Sequence, residues 1–175
     1  MFVFITGGQR SGKSTYAQNR ALALTDQPVY LATSRVWDDD HRQRIVRHQK
    51  DRDSRWTNVE EEKYLHHHDF TGRVVLLDCI TLWLTNLFFD SEGDVEKSLA
   101  EAKAIIDALL LQNCTLIAVT NEIGMGGISE NHVQRKFTDL QGWCNQYLAS
   151  KADEVVLMVS GIPVCVKGKT SVSPQ

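Results

Sequence analysis

The chain has 175 residues, of which 42% are hydrophobic and 23% charged, and these fractions favour one globular domain over a disordered or fibrous chain. The formal net charge of -3 lacks the basic footprint of a dedicated nucleic-acid binder, so we expect no nucleic-acid partner. No apolar run approaches the roughly 18–20 residues of a membrane span, and the N-terminus has no secretory pattern. We therefore expect a cytoplasmic protein without a membrane span.

Short apolar runs rich in β-branched residues alternate with longer helical patterns along the chain. The patterns predict strands at 2–6, 29–33, 74–77, 116–120, 154–159 and 164–167. They predict helices at 14–24, 38–51, 82–89, 94–111 and 131–152. This alternation predicts an α/β fold with a mostly parallel central sheet flanked by helices. We expect a single domain over residues 1–168 and a frayed tail over 169–175.

The strongest motif lies between the first predicted strand and the first predicted helix. It matches G-x-x-x-x-G-K-[ST] in full, with Gly7, Gly8, Gln9, Arg10, Ser11, Gly12, Lys13 and Ser14. Such a loop points backbone N–H groups at phosphate oxygens, and the helix that follows directs its positive end at the same place. The motif predicts that Lys13 reaches the β- and γ-phosphates and that Ser14 binds Mg²⁺. The strand before it and the helix after it disfavour the alternative, a turn that binds nothing.

A phosphate loop requires a second ligand for the metal, and Asp78 is the candidate. Asp78 ends an apolar strand, so its carboxylate is expected at the same sheet edge as the loop. The alternative is that Asp78 caps the helix that begins near Thr81. We favour the metal role, because the two parts recur together in phosphoryl-transfer sites.

Three further segments carry chemistry that the residues alone leave open. Residues 120–127 contain three glycines and are either a sensor or acceptor-binding loop or an ordinary flexible loop. The basic residues near His48 would suit a nucleophile that meets a polyphosphate, but a charged solvated helix face is the commoner meaning of this pattern. Consecutive His66, His67 and His68 indicate a polar loop or helix end rather than a metal site.

Several motifs, in their order and spacing, resemble one known family. The most specific motifs are R-I-x-x-H, D-C-[IL]-T-x-W-x-x-N and T-N-E-x-G-x-G. The residues that carry the resemblance are 6–14, 30–34, 44–48, 77–87, 119–126 and 159–161, together with Trp56. They resemble the bifunctional adenosylcobinamide kinase / adenosylcobinamide-phosphate guanylyltransferase of cobalamin biosynthesis. The resemblance implies a RecA-like phosphate-loop NTPase fold and two reactions. Adenosylcobinamide takes a γ-phosphoryl group from ATP or GTP. GTP then transfers GMP to that phosphate and releases pyrophosphate.

The resemblance also assigns residues. His48 matches the histidine that carries GMP as a covalent intermediate. From the chemistry of phosphoryl transfer in general, we expect Lys13 to stabilise charge on the polyphosphate in both reactions. Besides the phosphate loop, further residues are expected to line the nucleotide site: Thr33, Ser34, Arg35, Gln49, Lys50, Asp51, Arg52, Glu60 and Asp78. We expect Mg²⁺ as cofactor, ATP, GTP, adenosylcobinamide and its phosphate as ligands, and a homo-oligomer. The rival predictions are a monofunctional phosphate-loop kinase without a covalent intermediate and a nucleotide-regulated binding module.

Overall fold

Seven strands form one sheet in the computed structural model, which describes residues 1–35 and 53–168. The strands are β1 (Phe2–Gly7), β2 (Val29–Ala32), β3 (Thr57–Glu60), β4 (Val74–Asp78), β5 (Thr115–Val119), β6 (Glu154–Val159) and β7 (Ile162–Lys167). The α-helices of the described residues are α1 (Lys13–Leu22), α2 (Ile80–Asp90), α3 (Val95–Leu110) and α4 (His132–Lys151). Short 3-10 turns span Leu65–His67 and Gly124–Gly126.

The sheet has the order β3-β2-β4-β5-β1-β6-β7. Every neighbouring pair among the described strands is parallel except β6 and β7, which form an antiparallel hairpin at one edge. β5 lies between β1, which leads into the phosphate loop, and β4, which ends on Asp78. The expected α/β class is confirmed, and this arrangement is a RecA-like phosphate-loop fold.

Both faces of the sheet are covered, which explains why its central strands are apolar along most of their length. Phe2 and Phe4 of β1 point into a core cluster shared with α2, α3 and α4, whereas Val3 and Ile5 point into a second cluster with α1. All four side chains are at most 3% exposed. Because strands alternate their side chains between faces, a strand buried on both sides has no polar positions left.

The structure confirms most predicted elements within the described residues, with boundaries that shift by no more than two positions. α3 buries Ala102, Ile106 and Leu109 as its periodicity predicts, and its N-cap Asp94 accepts a hydrogen bond from the Lys97 N–H at 2.9 Å. β3 was not predicted, because its residues are mostly exposed and polar. The helix predicted at 38–51 and the tail predicted at 169–175 lie outside the described residues.

Candidate nucleotide-binding site

The phosphate loop runs from the end of β1 to the first turn of α1. Gly7 has φ of 150°, and a Cβ atom there would lie 2.6 Å from the Met158 carbonyl oxygen. Gly12 has φ of 90°, and a Cβ there would lie 3.2 Å from Gly161 Cα. Neither position accepts a larger residue without strain or displacement of a neighbouring backbone. These two glycines therefore fix the curvature that lets loop N–H groups converge on an anion.

The β6–β7 turn supports the loop from the side. Its residues Ser160 and Gly161 both have positive φ, 49° and 87°, as a tight two-residue hairpin turn requires. The Gly161 N–H donates to the Ser11 carbonyl at 2.9 Å. No local sequence pattern predicts this support, because Ser11 and Gly161 meet only when β6 pairs with β1.

Lys13 is the first residue of α1, and its side chain turns back to the loop. Its side chain donates from Nζ to the Gly8 carbonyl at 2.6 Å, and the residue is only 7% exposed. Burial lowers the pKa of Lys13, while the nearby Cys79 and Asp78 groups act in the opposite direction. The site thus holds a poorly solvated cation at the N-terminus of a helix, an arrangement that favours an incoming anion.

Asp78 ends β4 at the same edge of the sheet and is held by Tyr30. The Tyr30 hydroxyl donates to Asp78 Oδ2 at 2.9 Å, and the buried Tyr30 ring packs edge-on against Trp56 at a centroid distance of 6.0 Å. The interpretation of Asp78 as the helix cap is wrong. The N-cap of α2 is Cys79, which makes no side-chain capping hydrogen bond.

The oxygen donors at this edge suit a magnesium ion. Ser14 lies in the first turn of α1, half-buried, and Asp78 is also half-buried. Mg²⁺ prefers hard oxygen ligands and is commonly held by one or two protein groups plus substrate phosphates. Within the described residues, no cluster of three or more His, Cys, Asp or Glu side chains is arranged for a metal. The arrangement fits a metal that is completed by a bound triphosphate.

The predicted lining residues after β2 have other contacts in this structure. Thr33 is fully buried, and its hydroxyl donates to the Cys79 carbonyl at 2.8 Å and accepts from the Cys79 N–H at 3.1 Å. Arg35 donates from Nε to Glu62 at 2.8 Å and from its terminal nitrogen to Asp90 at 2.9 Å. These two carboxylates raise the pKa of Arg35 above its ordinary value. Thr33 therefore joins the ends of β2 and β4, and Arg35 is already ion-paired.

The remaining predicted residues fall in two groups. Ser34 follows Thr33 and is half-buried, while Glu60 is exposed at the end of β3, in register with Ala32 of β2. His48 and the four residues after it lie outside the described residues: Gln49, Lys50, Asp51 and Arg52. Ser34, Glu60 and Arg35 thus follow neighbouring strands at the edge that also carries Asp78.

Two residues of α2 hold the segments around β2 and β3, and sequence analysis gave them no role. Asn86 is fully buried and donates both amide hydrogens, to the Thr33 carbonyl and the Glu62 carbonyl, each at 2.9 Å. Trp83 donates from its indole nitrogen to the Lys63 carbonyl at 2.8 Å. The signal was present in the D-C-[IL]-T-x-W-x-x-N pattern, but the pattern does not say which carbonyls its tryptophan and asparagine reach.

The segment after β5 adjoins the phosphate loop directly. The Glu122 N–H donates to the Gly7 carbonyl at 3.0 Å, and Glu122 Oε1 accepts from the Gly124 N–H at 3.0 Å. The three histidines, by contrast, lie in and beside the 3-10 turn Leu65–His67, where His68 Nε2 is 3.3 Å from Glu61. The structure agrees with the interpretation of the histidines as a polar loop or helix end, since they form the short 3-10 turn and the residue that follows it.

Comparison with known proteins assigns the chain to a family. A sequence model described as cobinamide kinase / cobinamide phosphate guanyltransferase matches residues 3–166. The chain belongs to this family. Two relatives named bifunctional adenosylcobalamin biosynthesis protein CobU, from Escherichia coli K12 and Salmonella typhimurium LT2, are each 39% identical over 95% of this chain and 100% of their own length. The Pseudomonas aeruginosa protein named CobP is 33% identical over 94% of this chain and 96% of its own.

The resemblance stated from the motifs is therefore confirmed, as is the kinase and nucleotidyltransferase class of the family. The phosphate loop, Asp78 and the segment after β5 all lie within the matched range. None of the helices in residues 1–35 and 53–168 combines the length and hydropathy that a bilayer-spanning helix needs.

Proposed function

We propose that this chain catalyses two successive reactions on a corrinoid. ATP or GTP first gives its γ-phosphoryl group to the free hydroxyl of adenosylcobinamide. GTP then gives GMP to the resulting phosphate, which yields adenosylcobinamide-GDP and pyrophosphate. The observation that carries the proposal is a complete phosphate loop around the buried Lys13, in a chain whose family match covers residues 3–166.

In the phosphoryl-transfer reaction, the loop N–H groups and Lys13 hold the triphosphate and stabilise charge on its terminal oxygens. Ser14 and Asp78 are the residues that would hold Mg²⁺, with Tyr30 fixing the orientation of the Asp78 carboxylate. The ion would neutralise charge shared between the β- and γ-phosphates. The oxygen-only donor set supports this assignment.

In the guanylyl-transfer reaction, His48 is the proposed nucleophile. A neutral imidazole nitrogen attacks the α-phosphorus of GTP, so that a P–N bond forms as the bond to pyrophosphate breaks. The phosphate oxygen of the corrinoid then attacks the same phosphorus and releases the histidine. Thr33, Ser34, Arg35, Glu60 and Asp78 are proposed to line the nucleotide site, together with residues 49–52. The Arg35 guanidinium would have to exchange at least one of its carboxylate partners to do so.

Intact-protein mass spectrometry tests the covalent step without the corrinoid. The wild-type chain, incubated with GTP and Mg²⁺, should gain the mass of one GMP, and acid treatment should remove it. His48→Asn should gain nothing, while a His67→Asn control at an exposed histidine should react like the wild type. A wild-type chain that binds GTP yet forms no adduct would favour the monofunctional kinase instead.

We also propose that the chain forms a homo-oligomer. The edge strand β7 exposes Ile162, Val164 and Val166, which are 63%, 44% and 63% accessible. None of the described strands pairs with the outer side of β7, so this edge presents backbone N–H and C=O groups beside the apolar side chains, and such edges are commonly covered in native proteins. Light scattering coupled to size-exclusion chromatography should give a multiple of the chain mass, and Val164→Lys should reduce it.

A further inference from the structure

We propose that Gln141 and Asn145, the amide pair of α4, are positioning residues for phosphoryl transfer to the acceptor. They would act by holding the backbone of residues 120–122 against the phosphate loop. The inference rests on the proposed function and deepens it, because it assigns part of α4 to one of the two reactions.

The amide pair is buried and bonded to the end of β5. Thr120, Gln141 and Asn145 are 0%, 1% and 7% exposed. The Thr120 hydroxyl donates to Asn145 Oδ1 at 3.0 Å and accepts from Gln141 Nε2 at 3.0 Å. Gln141 Nε2 also lies 2.9 Å from Asn145 Oδ1, which closes a three-membered polar cluster.

The backbone of Asn121 is held on one side by α2 and on the other by Asn145 of the amide pair. The Asn121 N–H donates to Thr81 Oγ1 at 2.9 Å, and the Asn121 carbonyl accepts from Asn145 Nδ2 at 3.4 Å. The following N–H, of Glu122, donates to the Gly7 carbonyl at 3.0 Å. Three consecutive residues are thus tied to α2, α4 and the phosphate loop.

The position of these bonds indicates a role beyond packing. Other inward positions of α4, such as Cys144 and Leu148, contribute to the apolar core. Buried amides are costly, and Gln141 Oε1 has no hydrogen-bond partner among the described residues, so we take the pair to serve a specific geometry rather than stability alone. Here that geometry lies at the carboxyl edge of a parallel sheet, where ligands of such folds bind.

The chemical consequence concerns the acceptor. The fixed backbone places Asn121 and Glu122 next to the phosphate loop, because the Glu122 N–H donates to the Gly7 carbonyl. An acceptor hydroxyl must lie in line with the γ-phosphorus, and a displacement of about 1 Å costs on the order of 100-fold in rate. The self-guanylylation of His48 requires no acceptor, so it should tolerate a shift of residues 120–122.

The test compares the two reactions in the same variants of the full chain. Asn145→Leu removes the bonds to Thr120 and Asn121 with little change in volume, and Thr120→Val removes the hydroxyl with little change in shape. Each should lower kcat for phosphorylation of adenosylcobinamide by about 10- to 100-fold. Self-guanylylation with GTP and Mg²⁺ should stay within about threefold of the wild type, since the triphosphate site is intact.

Two controls separate positioning from stability. Thr120→Ser keeps the hydroxyl and should recover most of the phosphorylation rate. Tyr147→Phe removes a different hydrogen bond of α4, the 2.6 Å bond to Asp107, and should leave both reactions unchanged.

Equal loss of both reactions in Asn145→Leu, in step with its folded fraction, would overturn the inference and make the amide pair structural. Unchanged phosphorylation in both Asn145→Leu and Thr120→Val would overturn it as well. A wild-type chain with no phosphorylation at all would refute the proposed function itself, and this result is distinguishable because it appears before any variant is made.

Discussion

Lys13 and Arg35, two of the cations predicted to lie at the nucleotide site, have opposite surroundings. Lys13, on the phosphate-loop side of the sheet, is buried and donates to a neutral carbonyl. Arg35, on the β2–β3 side, is partly exposed and bound to two carboxylates, Glu62 and Asp90. Burial lowers the pKa of Lys13, whereas its hydrogen bonds to carboxylates raise the pKa of Arg35.

The difference shows how a fold keeps a positive charge available. An incoming anion stabilises a poorly solvated lysine more than it stabilises a cation that is already paired with carboxylates. Lys13 is therefore ready for a triphosphate, while Arg35 first stabilises the segments after β2 and β3. We expect substitutions on the phosphate-loop side to affect both reactions and those on the β2–β3 side to affect them unequally.

The largest effect is expected from Lys13→Met. Loss of a cation aimed at transferred phosphates lowers rates by about 10³- to 10⁵-fold, and we expect this for both phosphorylation and self-guanylylation. Radiolabel transfer from γ- and α-labelled GTP measures the two reactions separately. If one of them survives, the two reactions do not share the phosphate loop.

The same variant carries a stability prediction. Burial in the folded state lowers the pKa of Lys13 below its ordinary value of 10.5. At pH values between the folded pKa and 10.5, Lys13 is therefore more fully protonated in the unfolded chain than in the folded chain. The free energy of unfolding of the wild type should then rise with pH through this window. Lys13→Met should lose this rise and, at neutral pH without nucleotide, unfold at no lower a denaturant concentration than the wild type.

The next effect concerns the anchor of α1. Arg20 and Glu154 form a buried ion pair at 2.6 Å between α1 and β6. Arg20→Met leaves the Glu154 carboxylate buried without its partner and should lower the free energy of unfolding by about 3–5 kcal/mol. Urea titration measures it, and Arg20→Met/Glu154→Met should recover most of the loss. No recovery in the double variant would mean that packing of the arginine stem matters more than its charge.

An intermediate effect is expected from Asn86→Leu. Asn86 joins Thr33 to Glu62, which lie on either side of residues 36–52, and this range includes His48. Loss of two buried hydrogen bonds should cost about 1–3 kcal/mol of stability. We expect self-guanylylation to fall at least about tenfold, as for a misplaced nucleophile, and phosphorylation to fall less. Equal losses would remove the contrast between the two sides of the sheet.

The smallest effect is expected from Asp90→Asn. The hydrogen bond from Arg35 holds the pKa of Asp90 below its ordinary value of 3.8. The ion pair therefore adds stability above pH 3.8, and this contribution disappears as the pH falls through the lower folded value. The pair is partly exposed, so the difference in unfolding free energy should be at most about 1 kcal/mol. Urea titrations of the wild type and Asp90→Asn at pH 7 and pH 3 measure this difference. The same difference between the two proteins at both pH values would contradict the ion-pair assignment.

Local sequence predicted the elements that depend on neighbouring residues. The G-x-x-x-x-G-K-[ST] spacing placed Lys13 at the start of α1, and the strand ending on Asp78 placed a carboxylate at the same edge. β3 was missed because its polar, exposed residues carry no alternation, and its existence depends on pairing with β2. The roles of these residues in catalysis stay predictions that the experiments above decide.

By itself the sequence determined the family, the phosphate loop and the periodic helices, because glycine torsions, caps and apolar spacing act over a few residues. Tertiary structure alone decided which partners complete the site. Tyr30 reaches Asp78 across 48 positions and Asn86 reaches Thr33 across 53. Such contacts depend on strand order and on how helices pack over the sheet, and no local pattern contains either. The fold thus converts a common nucleotide motif into a site whose supports come from distant parts of the chain.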